Sequence, residues 1–144
     1  MCAHVGLPLH LDERLRETHF GEWQGLTGPE IAVRWPEEFE AWRQWWGFAV
    51  GGESPSQVAV RAGAALEEWL PQLPDAGVLL LVTHGGTARA LVGTMTGLQP
   101  DDWWRLAPLG NTCWSTLVED ERGWRLERHN TGLGPLLGPP TGAG

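Results

Sequence analysis

Apolar positions are densest at Val78-Leu79-Leu80-Leu81-Val82, an uninterrupted run bounded by Pro74-Asp75-Ala76-Gly77 and Gly85-Gly86. A short apolar run between turn residues predicts a strand buried on both faces, as in parallel sheets covered by helices. Directly after it, Ala88, Leu91, Val92 and Met95 recur at helical spacing. His84 therefore falls at the carboxyl end of a core strand and at the start of a helix. In open α/β sheets ligands bind along that edge. A helix N-terminus with two glycines offers free backbone N–H groups to an anion. A histidine beside it points to phosphate chemistry, while a polar residue that simply closes a strand is the plainer alternative.

The flanking patterns predict the rest of the elements. Leu7, Leu9 and Leu11 alternate like a short strand. Thr27 and Glu30 have capping-box spacing, predicting a short helix over 29–34. Pro36 opens another, to Trp46, whose stripe of Phe39, Trp42, Trp45 and Trp46 is read as packing or as an apolar wall over a substrate site. Ser54, Pro55 and Gln57 start a helix running to about Leu70, with Val58, Ala62, Ala65, Leu66 and Trp69 as its core stripe. Arg61 borders that stripe, either bracing a loop through a carboxylate such as Glu53 or simply solvated. A short helix is expected over 100–106. Residues 112–118 and 124–129 read as a hairpin joined by Asp120-Glu121-Arg122-Gly123. Residues 1–130 make one domain, and the Gly/Pro-rich 131–144 reads as a disordered tail.

Composition narrows the function. The net charge is −8, with ten basic residues in all. Every one is arginine and none forms a basic run, which argues against a nucleic-acid surface. Cys2 and Cys113 form no metal-binding or redox pattern. No metal or cofactor is expected. No apolar stretch is long enough for a membrane span and the first residues lack a signal-peptide layout, so a cytoplasmic protein is expected. His4 and His10 read as surface residues.

Leu15-Arg16-Glu17-Thr18-His19-Phe20-Gly21-Glu22-Trp23-Gln24-Gly25-Leu26-Thr27 mixes charge with large aromatics and is too broken by glycine for a long helix. Loops of this kind often carry function. Glu17 is a candidate acid, and an ordinary solvated glutamate is the alternative. Phe20, Trp23 and Leu26 are expected to anchor the loop.

Taken in order, this loop, Gly51-Gly52-Glu53-Ser54 with Arg61, and Val82-Thr83-His84-Gly85-Gly86 resemble the histidine phosphatase superfamily, the phosphoglycerate mutase-like group, and within it the broad-specificity phosphatase branch. The resemblance runs from about Ala3 to Asn130. It implies a three-layer α/β/α sandwich with a mostly parallel sheet. It also implies a phosphomonoesterase that forms a phosphohistidine on a small phosphorylated substrate and then hydrolyses it. By motif position Glu17 looks like the acid that protonates the leaving oxygen, and His84 like the second histidine beside the phosphoryl group. Thr18, Gly85 and Asn111 are expected to bind substrate. The nucleophile of the family lies in an Arg-His-Gly segment, and none occurs in this sequence. A phosphate-binding arginine on a Ser-Pro-Leu-x-Arg-like segment is missing as well. The chain thus reads as the last two-thirds of the domain, inactive as it stands. Its Val78–Val82 edge is then left open to self-association. A non-catalytic domain that keeps the phosphate pocket is the alternative, and a mutase is a weaker one.

Overall fold

The computed structural model describes residues 6–45 and 47–132. They form an α/β arrangement of four helices and one hairpin: α1 (Gly28–Arg34), α2 (Pro36–Arg43), α3 (Pro55–Trp69), α4 (Gly85–Met95), β1 (Trp114–Asp120) and β2 (Gly123–Thr131). Helix α1 begins where the Glu30 carboxylate accepts from the Thr27 N–H at 2.8 Å and from its hydroxyl at 2.7 Å. Helix α3 begins on a reciprocal box. The Ser54 N–H donates to Gln57 Oε1 at 2.8 Å, and the Gln57 N–H donates to Ser54 Oγ at 3.3 Å. Both starts follow the sequence pattern, because a side-chain acceptor satisfies amides that the first turn leaves open.

Helices α3 and α4 pack side by side and form the centre of the molecule. Val58 of α3 meets Ala90 of α4 and Trp103, while Ala62 and Leu66 meet Leu91. The expected core stripe of α3 is buried, with Trp69 turned partly outward to donate its indole N–H to Asp12 at 3.1 Å. Helix α4 is covered further round than its apolar spacing suggested, from Thr87 to Gly93. A Cβ added to Gly93 would stand 2.3 Å from Trp103 Nε1, so this glycine makes room for the ring against the helix. Gly93→Ala is expected to lower stability by about 1–3 kcal/mol through overpacking. Urea unfolding followed by tryptophan fluorescence measures it, and an unchanged midpoint would contradict this account.

Three expectations need correction. Residues 78–82 are extended but belong to no strand, and among the described residues their backbone has no hydrogen-bonded partner. Leu79 and Leu81 pack onto the α3–α4 cluster, whereas Val78, Leu80 and Val82 are 88%, 59% and 64% exposed. The run is thus buried on one face, because nothing described lies against the other. Leu7, Leu9 and Leu11 are exposed coil rather than strand, again with no neighbouring chain to pair with. The sheet among the described residues is the antiparallel β1–β2 pair, with no parallel strands. That hairpin follows the sequence pattern, running to Asp120 and Thr131, with Val118 opposite Arg125 and Asp120 opposite Gly123. Thr131 belongs to β2 rather than to the tail. The expected disorder beyond it, and His4, lie outside the described residues.

The aromatic stripe divides. Phe39 and Trp42 of α2 pack with Phe20, Trp23 and Ile31 in a separate cluster. The α-helix stops at Arg43, and Trp45 follows with a left-handed backbone, φ +67°. Trp46 lies outside the described residues.

Candidate active site

The site is built where the loop 14–20 crosses the start of α4. His84 is the N-cap, in extended conformation, and its carbonyl accepts from the Ala88 N–H at 2.8 Å. Its ring is exposed and makes no cap hydrogen bond. The cap is supplied from elsewhere in the chain by Glu17. Its Oε1 accepts from the Thr87 N–H at 3.2 Å and from the Thr18 N–H at 2.8 Å, and its Oε2 accepts from the Gly86 N–H at 3.2 Å. A negative carboxylate at the positive end of a helix dipole is a favourable arrangement. The candidate acid Glu17 and the candidate phosphate-binding His84, far apart in sequence, are therefore brought onto one helix end. Of the four lone-pair directions a carboxylate offers, about three are used, which leaves one on Oε2.

This occupancy changes the anion hole expected from sequence. The amides of Gly86 and Thr87 are taken by Glu17, leaving the Gly85 N–H and the His84 ring on the open side. Gly86 is required by close approach: a Cβ there would stand 2.6 Å from Thr18 Oγ1 and 2.7 Å from Glu17 Oε1. Thr18 thus lies against Gly86. Asn111 is exposed in a turn, and its carbonyl accepts from the Thr112 hydroxyl. The approach of that loop to the helix start is through Leu109, whose carbonyl is 3.6 Å from where a Gly85 Cβ would be. Among the described residues, no hydrogen bond joins the Asn111 side chain to Glu17 or His84.

The loop carrying Glu17 has no regular secondary structure beyond one turn, so its carbonyls are satisfied by side chains. Arg61 Nη1 donates to the Arg14 and Arg16 carbonyls at 2.7 and 2.9 Å, and Nη2 donates to the Glu17 carbonyl at 3.1 Å. The Thr83 hydroxyl donates to the Leu15 carbonyl and the Thr87 hydroxyl to the Arg16 carbonyl, each at 2.6 Å. Of the two sequence readings of Arg61, the brace is the one found. Glu53 orients it through two parallel bonds of 2.7 and 2.8 Å, and also accepts the His19 N–H at 2.9 Å. The Arg61 guanidinium, with help from the His19 amide and Arg16, pulls the Glu53 carboxyl from 4.5 to about 2. Thr83 and Thr87 were not singled out from the sequence. Their signal was their place on either side of His84-Gly85-Gly86, one facing the loop from the extended segment and the other from the first helical turn.

Among the described residues no group of three His, Cys, Asp or Glu side chains is placed to hold a metal, and no helix is long and apolar enough to cross a membrane.

The chain as a whole has known relatives. The family model described as histidine phosphatase superfamily (branch 1) matches residues 1–132. The chain belongs to the histidine phosphatase superfamily. Within it, a glucosyl-3-phosphoglycerate phosphatase from Mycolicibacterium vanbaalenii is 36% identical over 143 residues, covering 87% of this chain and 64% of that protein. The Mycobacterium tuberculosis protein of the same name is 38% identical, over 78% of this chain and 54% of its own length. The mycobacterial glucosyl-3-phosphoglycerate phosphatase solved with inorganic phosphate superposes with a TM-score of 0.83 at 34% identity, covering 91% of this chain and 69% of that one. This histidine phosphatase chain therefore spans 54–64% of these curated relatives.

Proposed function

We propose that this chain is the acid-bearing and phosphate-binding part of a phosphomonoesterase that works through a phosphohistidine. One observation carries the reading: the Glu17 carboxylate is clamped over the first amides of the helix that begins at His84. Glu17 is the proton donor to the leaving oxygen. His84 and the Gly85 N–H hold phosphoryl oxygens, with Thr18 and Asn111 at the rim. Phosphoryl transfer asks for little beyond placement and neutralisation of spread negative charge, and a rigid helix end provides both. No Arg-His-Gly segment, which carries the nucleophilic histidine in the family, occurs in these 144 residues. The names of the relatives favour an organic phosphate of the phosphoglycerate kind as substrate.

The uncovered side of residues 78–82 fits the same reading. A strand laid against it would complete a parallel sheet between helical layers, giving the three-layer sandwich of the family. The run carries no charge to discourage pairing with another chain, so self-association through this edge is part of the proposal.

The test is a titration of the chain with inorganic phosphate, followed by the His84 ring and Gly85 amide signals in NMR spectra. Both should shift together, and His84→Ala should abolish the Gly85 shift. Signals that do not move at millimolar phosphate would rule out the pocket.

A further inference from the structure

Strand β2 carries an irregularity that the site described so far leaves unused. Trp114 pairs with Thr131 and Thr116 with Arg128, so one residue of β1, Ser115, stands opposite two of β2, His129 and Asn130. An extra residue of this kind is a β-bulge, which bends its strand and re-aims side chains. Asn130 has a left-handed backbone, φ +54°. Consecutive side chains of a regular strand point to opposite faces. Here both reach one segment, residues 107–110. His129 Nε2 lies 2.8 Å from the Ala107 carbonyl, and its Nδ1 lies 2.9 Å from the Ser115 hydroxyl. A carbonyl only accepts, so Nε2 carries the hydrogen, and in the neutral ring the hydroxyl donates to Nδ1. Asn130 Oδ1 accepts from the Gly110 N–H at 2.8 Å.

The segment held in this way runs to the start of α4. The Leu109 carbonyl stands 3.6 Å from where a Gly85 Cβ would be, and β2 itself touches α4. The Gly110 carbonyl accepts from the Cys113 N–H at 3.1 Å, which closes a turn around Asn111 and Thr112. Thr112 is left-handed, φ +61°. A β-branched residue in that region costs on the order of 1–3 kcal/mol and persists only where its surroundings impose it. Among the described residues, the side-chain hydrogen bond that this turn receives from outside comes from Asn130.

We propose that Asn130 is a positioning residue of the phosphate site: the bulge aims its carboxamide at Gly110, and that bond sets the place of Asn111 beside the His84–Gly85 helix start. The inference rests on the phosphatase reading above, in which Asn111 stands at the rim, and adds the residue that holds it there. Asn130 acts through the turn and touches no substrate itself.

The experiment measures inorganic phosphate binding to the 144-residue chain from the Gly85 amide shift, in about 0.15 M salt. Asn130→Gly keeps the left-handed backbone and removes the acceptor. It should weaken phosphate binding about threefold to tenfold, the usual worth of one hydrogen bond. Asn130→Asp keeps both the backbone and an oxygen for the Gly110 amide, and should bind within about twofold of the parent. Asn111→Ala should weaken binding by a similar factor to Asn130→Gly. Adding Asn130→Gly to it should then change little more, because two groups acting through one contact are not additive. An Asn130 that only stabilised the fold would lower the urea midpoint and leave the affinity of the folded chain alone. Unchanged affinity in folded Asn130→Gly therefore overturns the inference. A loss equally large with Asn111 and without it overturns it too. If near-ultraviolet circular dichroism shows Asn130→Gly to be unfolded, Asn130→Ser, whose shorter side chain falls back from the Gly110 amide, decides by the same comparison. Parent-like binding by Asn111→Ala overturns this inference alone. Failure of the parent chain to bind phosphate overturns the phosphatase reading and this inference with it.

Discussion

Replacing Arg61 by alanine is expected to cost about 3–5 kcal/mol, a large part of the stability of an ordinary domain. The side chain is 12% exposed, and its loss leaves Glu53 a half-neutralised carboxylate and the carbonyls of Arg14, Arg16 and Glu17 without this donor. Leaving a buried charge alone is worse than never having buried the pair, which is why the single truncation is severe. Arg61→Ala with Glu53→Gln should recover part of the loss. The same pair sets an acid limit. The Glu53 carboxyl is lowered in the folded chain, so its contribution is complete above its ordinary value of 4.5 and is lost as pH falls toward about 2. Urea midpoints measured from pH 6 down to 2 should fall for the parent across that window, and less for Glu53→Gln. A Glu53→Gln variant that loses stability in acid as steeply as the parent would show that the pair is not responsible.

The second large effect is on turnover. In a chain extended to contain an Arg-His-Gly segment, Glu17→Gln should lower hydrolysis of an alkyl phosphate about a hundredfold or more, the usual scale for loss of a general acid. An aryl phosphate with a good leaving group needs little protonation, so its turnover should fall far less. The ratio of the two losses distinguishes proton donation from simple misfolding, which would depress both alike. Glutamine can still accept the Thr18 and Thr87 amides through its oxygen, so the loop should hold. The 144 residues alone should hydrolyse neither ester above background. Turnover by that chain would mean that one of its own histidines is the nucleophile.

Much of this was readable in the sequence, for reasons that differ from element to element. The starts of α1 and α3 and the hairpin turn at Gly123 depend on residues within a few positions of one another, so local chemistry determines them. Glu17 and His84 stood out because a glycine-broken aromatic loop and a His-Gly-Gly turn are unusual combinations. Their meeting was not legible, since it depends on packing between residues nearly seventy positions apart. The burial of Val78–Val82 was misjudged for the same reason. An apolar run reports a preference to be covered, while the cover itself must come from other chain. Arg89 was not singled out in the sequence, and only the wrapping of α4 on most of its circumference places it inside.

The carbonyls of residues 14–17 are gripped by three side chains, one from α3, one from the first turn of α4 and one from the extended segment before it. The proton donor is thus slung between two helices like a gauge needle, with no framework of its own. A slip of α3 along α4 by a single ångström would tilt Glu17 against the helix end, and misplacement of that size is worth about a hundredfold in rate. Small-residue contacts such as Ala62 and Ala90, far from the chemistry, then set the alignment of the acid, and substitutions there should alter catalysis before they alter folding.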